Sequence, residues 1–394
     1  MTLPLDAAVP VAARMARLRV RPLSWDDLPG WRDDAHADAL RALRRTARHV
    51  AARGAHRTGA LASLPGLETL AGAAQGPALA ACLDLPDGAD AATARAFFEQ
   101  WYEPRAIEGE GLGGPDGAGF VTGFYEPTIE ASPVRDARYR HAIHAVPPGL
   151  TKNDGTRAHD SLPADHAWGI EDEDGLLREV SDRATIEGAS LAGAGTIADW
   201  PVIAWAADRV DLFFAHIQGA ARLAMPDRST RRITYAAKSG HPFTAIGAEL
   251  AREGEIAPGA VTMASIRAWL AAHPTRVDEL LRRNRSYIFF REQSVEDAAL
   301  GPVAAARVPL APGRSLAVDR LLHTFGTPIH VSAPNLAMDG APFVRLMVAQ
   351  ETGTAIVGAA RGDVFTGSGE AAGAIAGSIR HAARFTLLVP RTAA

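Results

Sequence analysis

RLMVAQETGTAIVGAARGDVFTGSG, residues Arg345 to Gly369, sets two apolar runs one after the other and hangs an acid on the end of each: Glu351 and Asp363. The first run reads as a strand. Around it the pattern recurs in YIFFRE (287–292), SLAVDR (315–320), TPIHVSAP (327–334), TAIVGAA (354–360) and RFTLLVP (384–390). With FVRLMVAQ (343–350) these are six short apolar runs divided by Gly/Pro turns, which predicts a closed barrel rather than an open sheet. Asp363 is expected in a short loop before GSGEAAGAIAG, where small neighbours would let something large approach its carboxylate.

Outward from this stretch the character changes. Residues 33–98 carry Ala, Leu and Arg at helical spacing, as in DALRALRRTARHVAA, and predict helix. A Gly-rich loop, GEGLGGPDGAG (109–119), opens into FVTGFYEPTIEAS, where alternation reads as strand. The middle, about 128–285, mixes strand candidates (PVIAWAA, RRITYAA) with helices such as TMASIRAWLAA, with Thr262 as N-cap. DLFFAHIQGAARLA carries a helical stripe into Gln-Gly, and Phe213 and Phe214 in it are read as core.

Composition narrows the function. The chain has 394 residues, 47% apolar and 22% charged, with a net charge of -4, enough to bury a large core and without the basic footprint of a nucleic-acid binder. Cys82 is the sole cysteine, which excludes an internal disulfide and any CxxC metal site. The N-terminal segment lacks the apolar core of a signal peptide, and no window reaches the roughly 18 apolar residues of a membrane span. The chain as written reads as soluble.

Three acids end apolar runs in the C-terminal zone: Asp319, Glu351 and Asp363. Barrel closure would bring them to one mouth, where a crowded apolar setting raises a carboxyl pKa, although an acid at a strand end is more often a turn former. Other templates are missing: no HExxH and no GxSxG. The 13 histidines show no pair with metal-ligand spacing beside a third ligand, and HAIH (141–144) reads as a surface loop. GSG (367–369) reads as a tight turn leading to a helix. Chemistry through a carboxylic acid remains, with no cofactor or metal.

TGFYEP (122–127), FFAHIQGAARL (213–223), YAAKSGHPFTAIG (235–247), NRSYIFF (284–290), PGRSLAVDR (312–320), GTPIHV and RLMVAQETGTAIVGAARGDVFTGSGEAAGAIAG together resemble the ordered motifs of the membrane-bound lytic murein transglycosylase A family, across about residues 28–390. The resemblance implies a mainly β protein with helices. A double-psi β-barrel (residues 1–127 and 291–394, with the N-terminal helices) would carry a smaller inserted β-rich domain (128–290) and a wide groove. The implied reaction cuts the β-1,4 bond between N-acetylmuramic acid and N-acetylglucosamine in peptidoglycan and leaves a 1,6-anhydro ring.

On that resemblance Asp363 falls on the catalytic aspartate and acts alone, donating a proton to the glycosidic oxygen and taking one from the muramyl 6-hydroxyl. Asp319 falls on the first of the three aspartates that name the family's 3D domain. Glu351 replaces the second, QETGTAI standing for QDTGGAI, and is expected to support Asp363. Thr122 and Glu126 are expected to bond sugar hydroxyls and Tyr125 to stack on a sugar face; one of Phe124 and Tyr125 should be core. Gln218 offers a further polar contact, and Lys238 a contact to the lactyl carboxylate or peptide. The expected partners are peptidoglycan glycan strands and wall-remodelling proteins, with no nucleic acid, and the protein a monomer. Its expected place is the periplasm, associated with the outer membrane, although no leader or lipobox is visible. A β-1,4 glucan hydrolase and a non-catalytic wall binder are the competing functions.

Overall fold

A computed structural model describes residues 10–109, 119–193, 196–294, 296–338 and 340–392. The Gly-rich segment 110–118 and the N-terminal nine residues, on which the leader reading rests, lie outside them. The chain forms two compact units: a central one of Glu126–Glu296 with Ser368–Glu370, and a terminal one of Thr2–Tyr125, Asp297–Gly367 and Ala371–Ala394.

In the terminal unit α1 (Val11–Met15) and β1 (Leu18–Pro22) precede three helices, α2 (His36–Arg53), α3 (Gly76–Asp84) and α4 (Ala91–Trp101). The helical spacing read from the sequence puts Ala39, Leu40, Ala42, Leu43 and Ala47 of α2 on its buried side, in one cluster with Leu79 of α3 and Phe98 of α4. Arg44 donates from inside this cluster to the carbonyls of Cys82, Leu85 and Pro86, placing a cation at the C-terminal end of α3. Cys82 is buried, which pushes its thiol up to about 11 and leaves it unreactive. The chain then runs through β2 (Tyr102–Gly109) and β3 (Phe120–Glu126).

The central unit opens with β4 (Thr128–Ser132), β5 (His141–His144), β6 (Leu150–Lys152), β7 (Trp168–Glu171), β8 (Leu177–Arg178) and α5 (Arg183–Ala192). It continues through β9 (Val202–Ala206), α6 (Arg209–Gln218), β10 (Ala220–Ala224), β11 (Thr230–Lys238), α7 (Ile246–Arg252), α8 (Met263–Ala272), α9 (Val277–Arg283) and β12 (Ile288–Glu292). A six-stranded sheet runs β12-β11-β10-β4-β9-β5, and a separate three-stranded sheet runs β6-β7-β8. Thr262 caps α8 by accepting from the Ser265 amide, as the sequence predicts. Gly219 ends α6 in the left-handed conformation, so the stripe read through Gln-Gly stops there and AARLA becomes strand. Phe213 and Phe214 are core. HAIH is a strand and not a surface loop: His144 is buried and its Nε2 meets Ser190 Oγ at 2.8 Å.

Returning to the terminal unit, the chain forms β13 (Ser315–Val318), β14 (Pro328–Met338), β15 (Ala341–Glu351), β16 (Arg361–Ser368), α10 (Glu370–Ser378), β17 (Arg380–Ala382) and β18 (Arg384–Pro390). Their sheet has nine strands, β1-β2-β18-β14-β15-β13-β16-β3-β17, in which β13 and β15 run parallel. No closed barrel is detected in this pairing among the described residues. Among the described residues β1 and β17 are edges, and YIFFRE belongs to the central sheet as β12. TAIVGAA is not a strand either. Ile356, Val357, Ala359 and Ala360 are apolar because they are buried in a loop, and the next strand is RGDVFTGS. Asp363 therefore lies inside a strand and not in a loop.

Candidate active site

Ala317 of β13 pairs with Asp363 of β16 on one side and with Glu351 of β15 on the other, with a register shift between Leu316 and Ala317 on the β15 side. Two acids thus stand in one row across three adjacent strands, with the smallest chiral side chain between them. At the ordinary spacing of neighbouring strands, their backbones are roughly 10 Å apart.

Asp363 is partly exposed. Thr122 Oγ1, on the neighbouring β3, donates to its Oδ1 at 2.6 Å, and Arg361 Nη2 donates to the same hydroxyl at 2.8 Å. Because a guanidinium has no acceptor, the hydroxyl accepts from Arg361 and its one proton points at the carboxylate. Oδ2 takes no hydrogen bond among the described residues. Burial raises the Asp363 carboxyl above the usual aspartate range, against the charge of Arg361 and the Thr122 hydrogen bond. Burial likewise draws the Arg361 guanidinium down, and Asp363 opposes that shift. Arg361 also lies over the Phe120 ring, 5.5 Å from its centroid. Nothing in the sequence reading assigned Arg361, although it stands in the same RGDVF motif.

Glu351 accepts from the Thr352 amide at 2.8 Å and from the Ala305 amide at 3.2 Å. Burial pushes its carboxyl up to about 7 against both bonds. Asp319 is buried and fully engaged: Arg14 Nη1 donates to Oδ2 at 2.9 Å, as does the Gly358 amide at 3.0 Å, and the Leu321 amide donates to Oδ1 at 3.0 Å. It ties the N-terminal helix and the TAIVGAA loop to the end of β13.

The remaining expected contacts are redistributed. Tyr125 is buried, and a Cβ on Gly373 of α10 would come within 2.7 Å of its ring, so the ring is packed and not presented for stacking. Phe124 packs on Phe365 at 5.3 Å between ring centroids, so both aromatics of the pair are used in packing. Glu126 has no exposed surface: Arg222 Nε donates to Oε2 at 2.8 Å and Ser368 Oγ at 2.6 Å, an ion pair in place of a sugar contact. Gln218 and Lys238 are half-buried at the ends of α6 and β11. The small residues after Asp363 also do something other than expected. A Cβ on Gly123 would come within 2.8 Å of Ala376 Cα, so Gly and Ala let α10 lie close on β3.

In the central unit one cluster escaped the sequence entirely. His166, Glu179 and His241 turn one ligand atom each toward a common point, though they are far apart in the chain. Among the described residues they are the group of three that could hold a metal ion.

Residues 120–291 match the MltA specific insert domain and residues 314–389 match the 3D domain. A membrane-bound lytic murein transglycosylase A of Escherichia coli K12 is 31% identical over 284 residues, 70% of this chain and 67% of that protein. The crystal structure of a membrane-bound lytic murein transglycosylase from Agrobacterium tumefaciens is 44% identical with a TM-score of 0.83, covering 94% of this chain and 98% of that one. E. coli MltA with bound chitohexaose is 26% identical with a TM-score of 0.60, at 90% coverage of each chain. With both domains matched in order and near full-length likeness in sequence and fold, the chain belongs to the membrane-bound lytic murein transglycosylase A family.

Proposed function

We propose that the protein is a peptidoglycan lytic transglycosylase that cleaves the β-1,4 bond between N-acetylmuramic acid and N-acetylglucosamine and releases 1,6-anhydromuramyl ends. The observation that carries the mechanism is the Asp363 carboxyl: raised in pKa, held at Oδ1 by Thr122, and without a hydrogen bond at Oδ2 among the described residues. A raised pKa keeps a proton available for the glycosidic oxygen as the C1–O bond breaks. The resulting carboxylate then takes the proton of the muramyl 6-hydroxyl as O6 closes on C1. One acid completes both transfers, and no water enters. Thr122 and Arg361 stabilise the carboxylate between the two steps.

Glu351 acts in support. A hydrolase would need a second carboxylate free to activate water or attack C1, and the Glu351 carboxyl is held by the amides of Ala305 and Thr352. Asp319 supports by fixing the end of β13. Thr122, whose hydroxyl donates to Asp363, and Gln218 and Lys238 remain candidates for saccharide and lactyl or peptide contact. Tyr125 and Glu126 hold the framework.

The family's double-psi topology is proposed for the terminal unit, with residues 1–127 and 291–394 as the catalytic domain and 128–290 as the insert. The protein is read as a monomer that works on glycan strands in the periplasm at the outer membrane, alongside wall-remodelling proteins. No helix among the described residues is long and apolar enough to cross a membrane.

Mass analysis of fragments released from purified sacculi tests the reaction: the expected ends are one water lighter than reducing muramyl ends. Asp363→Asn should abolish release, by at least the roughly 10²–10⁴-fold of general acid–base catalysis, with sacculus binding retained. Reducing ends would establish the hydrolase, and binding without release by the wild type would establish the wall binder. Near-native release by Asp363→Asn with a dead Glu351→Gln would move the acid to the QETG loop.

A further inference from the structure

We infer that the central unit carries a divalent transition-metal site, of zinc type, formed by His166, Glu179 and His241. His166 Nε2 lies 3.3 Å from His241 Nδ1, and Glu179 Oε1 is 3.5 Å from each of the two nitrogens. A point equidistant from three atoms so spaced lies about 2.0 Å from each, which is the length of a zinc bond to imidazole nitrogen or carboxylate oxygen. Both imidazoles are buried, while the glutamate side chain is 38% exposed. A fourth position therefore opens toward solvent on the glutamate side, as in three-ligand sites that keep a water.

The far sides of the rings settle which nitrogens can bind. His241 Nε2 lies 2.7 Å from the carbonyl oxygen of Val180, an acceptor only, so Nε2 carries the proton and Nδ1 presents its lone pair. His166 Nδ1 lies 3.0 Å from the Asp165 carboxylate, again an acceptor. Its Nε2 is likewise left as a lone pair. In these tautomers two ring lone pairs and a carboxylate oxygen face one centre, the donor set a bound cation needs. A carbonyl and a carboxylate behind the two imidazoles are also the outer partners that orient histidine ligands of metals.

The loop is built for this approach. Gly240, in the KSGH motif, has φ +91°, and a Cβ there would fall 2.7 Å from the Trp168 carbonyl oxygen and 3.2 Å from the His166 ring. Only glycine lets His241 come this close to His166. Arg285, 3.6 Å from Glu179 Oε1 and half exposed, is the cation that a metal would displace from the carboxylate. Two imidazoles with one carboxylate favour zinc, cobalt, nickel or copper over magnesium and calcium. The ligands flank β7 and β8 and follow β11, so the metal pins the three-stranded sheet to the loop leaving the six-stranded one.

The untagged full-length chain, stripped with a chelator, is titrated with Zn²⁺ and with Co²⁺, and metal content, visible spectrum and thermal unfolding are recorded. The expected result is one tightly bound zinc per chain, Co²⁺ bands of four-coordinate intensity, and a higher melting temperature with metal. Glu179→Gln and His241→Gln should each abolish the Co²⁺ bands. Asp165→Asn should weaken binding roughly 10–100-fold, the usual loss when an outer partner of a ligand is removed. His381→Gln, in the terminal unit, should change nothing. Glu179→Gln keeps the test decisive if His241→Gln fails to fold, because Glu179 is at the surface. No stoichiometric uptake by the wild type, or uptake that survives in Glu179→Gln and Asp165→Asn alike, overturns the site.

Discussion

Replacing Thr122 with valine removes the one hydroxyl that bonds Asp363 while keeping the shape of a β-branched strand residue. A hydrogen bond to a charged group contributes about 1.5–3 kcal/mol in a buried setting. Asp363 is partly exposed, so the lower end applies, and about 1.4 kcal/mol corresponds to one pKa unit. The bond favours the carboxylate; its loss raises a pKa that burial has already raised. On the proposed mechanism Asp363 is protonated at the start of the reaction, so the alkaline limb of kcat/KM reports its titration in the free enzyme. In Thr122→Val this limb should move about one unit toward higher pH, while kcat falls because the carboxylate between the two proton transfers loses a donor. Arg361→Met should move the limb the same way and further, since the guanidinium is the larger of the two influences holding the pKa down. The assay is the initial rate of anhydromuropeptide release at constant ionic strength across pH. A limb that stays in place, or moves to lower pH, in both variants refutes Asp363 as the titrating acid.

For Glu351 the folded pKa, about 7, stands above its ordinary value of 4.5, so the protonated form is the one the fold favours. The stability this contributes is complete below about pH 4.5 and is lost as pH rises through 7, with a ceiling of roughly 3 kcal/mol. The melting temperature of Glu351→Gln relative to wild type should therefore be higher at pH 8 than at pH 5, and a pH-independent difference counts against this. Its cost in release should be smaller than that of Asp363→Asn. Arg14→Met leaves Asp319 buried without its partner and should destabilise the terminal unit by about 3–5 kcal/mol, read by denaturant unfolding; adding Asp319→Asn should recover part of the loss.

What the sequence made legible was what periodicity and ordered motifs encode. The buried face of α2, the strands of β13, β14, β15 and β18, and the Thr262 cap all follow from local pattern. TAIVGAA misled because an apolar run signals burial, not backbone pairing; Gly358 at φ +123° gives its amide to Asp319 and leaves the ladder. Asp363 was singled out from its motif, but its setting was not, since Thr122 reaches it through a strand pairing 241 residues apart. Glu126 and Tyr125 look like surface chemistry in TGFYEP. Their burial depends on Arg222 and Gly373, which no local window contains. His166, Glu179 and His241 evade spacing rules because three separate loops deliver them.

The pairing of β2 with β18 has a consequence in time. Residues 102–106 bond to 386–390, and β18 lies between β2 and β14, so the nine-stranded sheet is in two pieces until the last strand is in place. The helices that begin the chain share their core with Leu388. Such long-range closure is slow, because loop entropy is lost before the contacts reward it. The central unit, nearly continuous in sequence, can order by itself first. A nascent chain thus passes through an interval in which the central unit can be folded while the nine-stranded sheet still waits for its C-terminus, and cutting the chain before Arg384 would make that interval permanent.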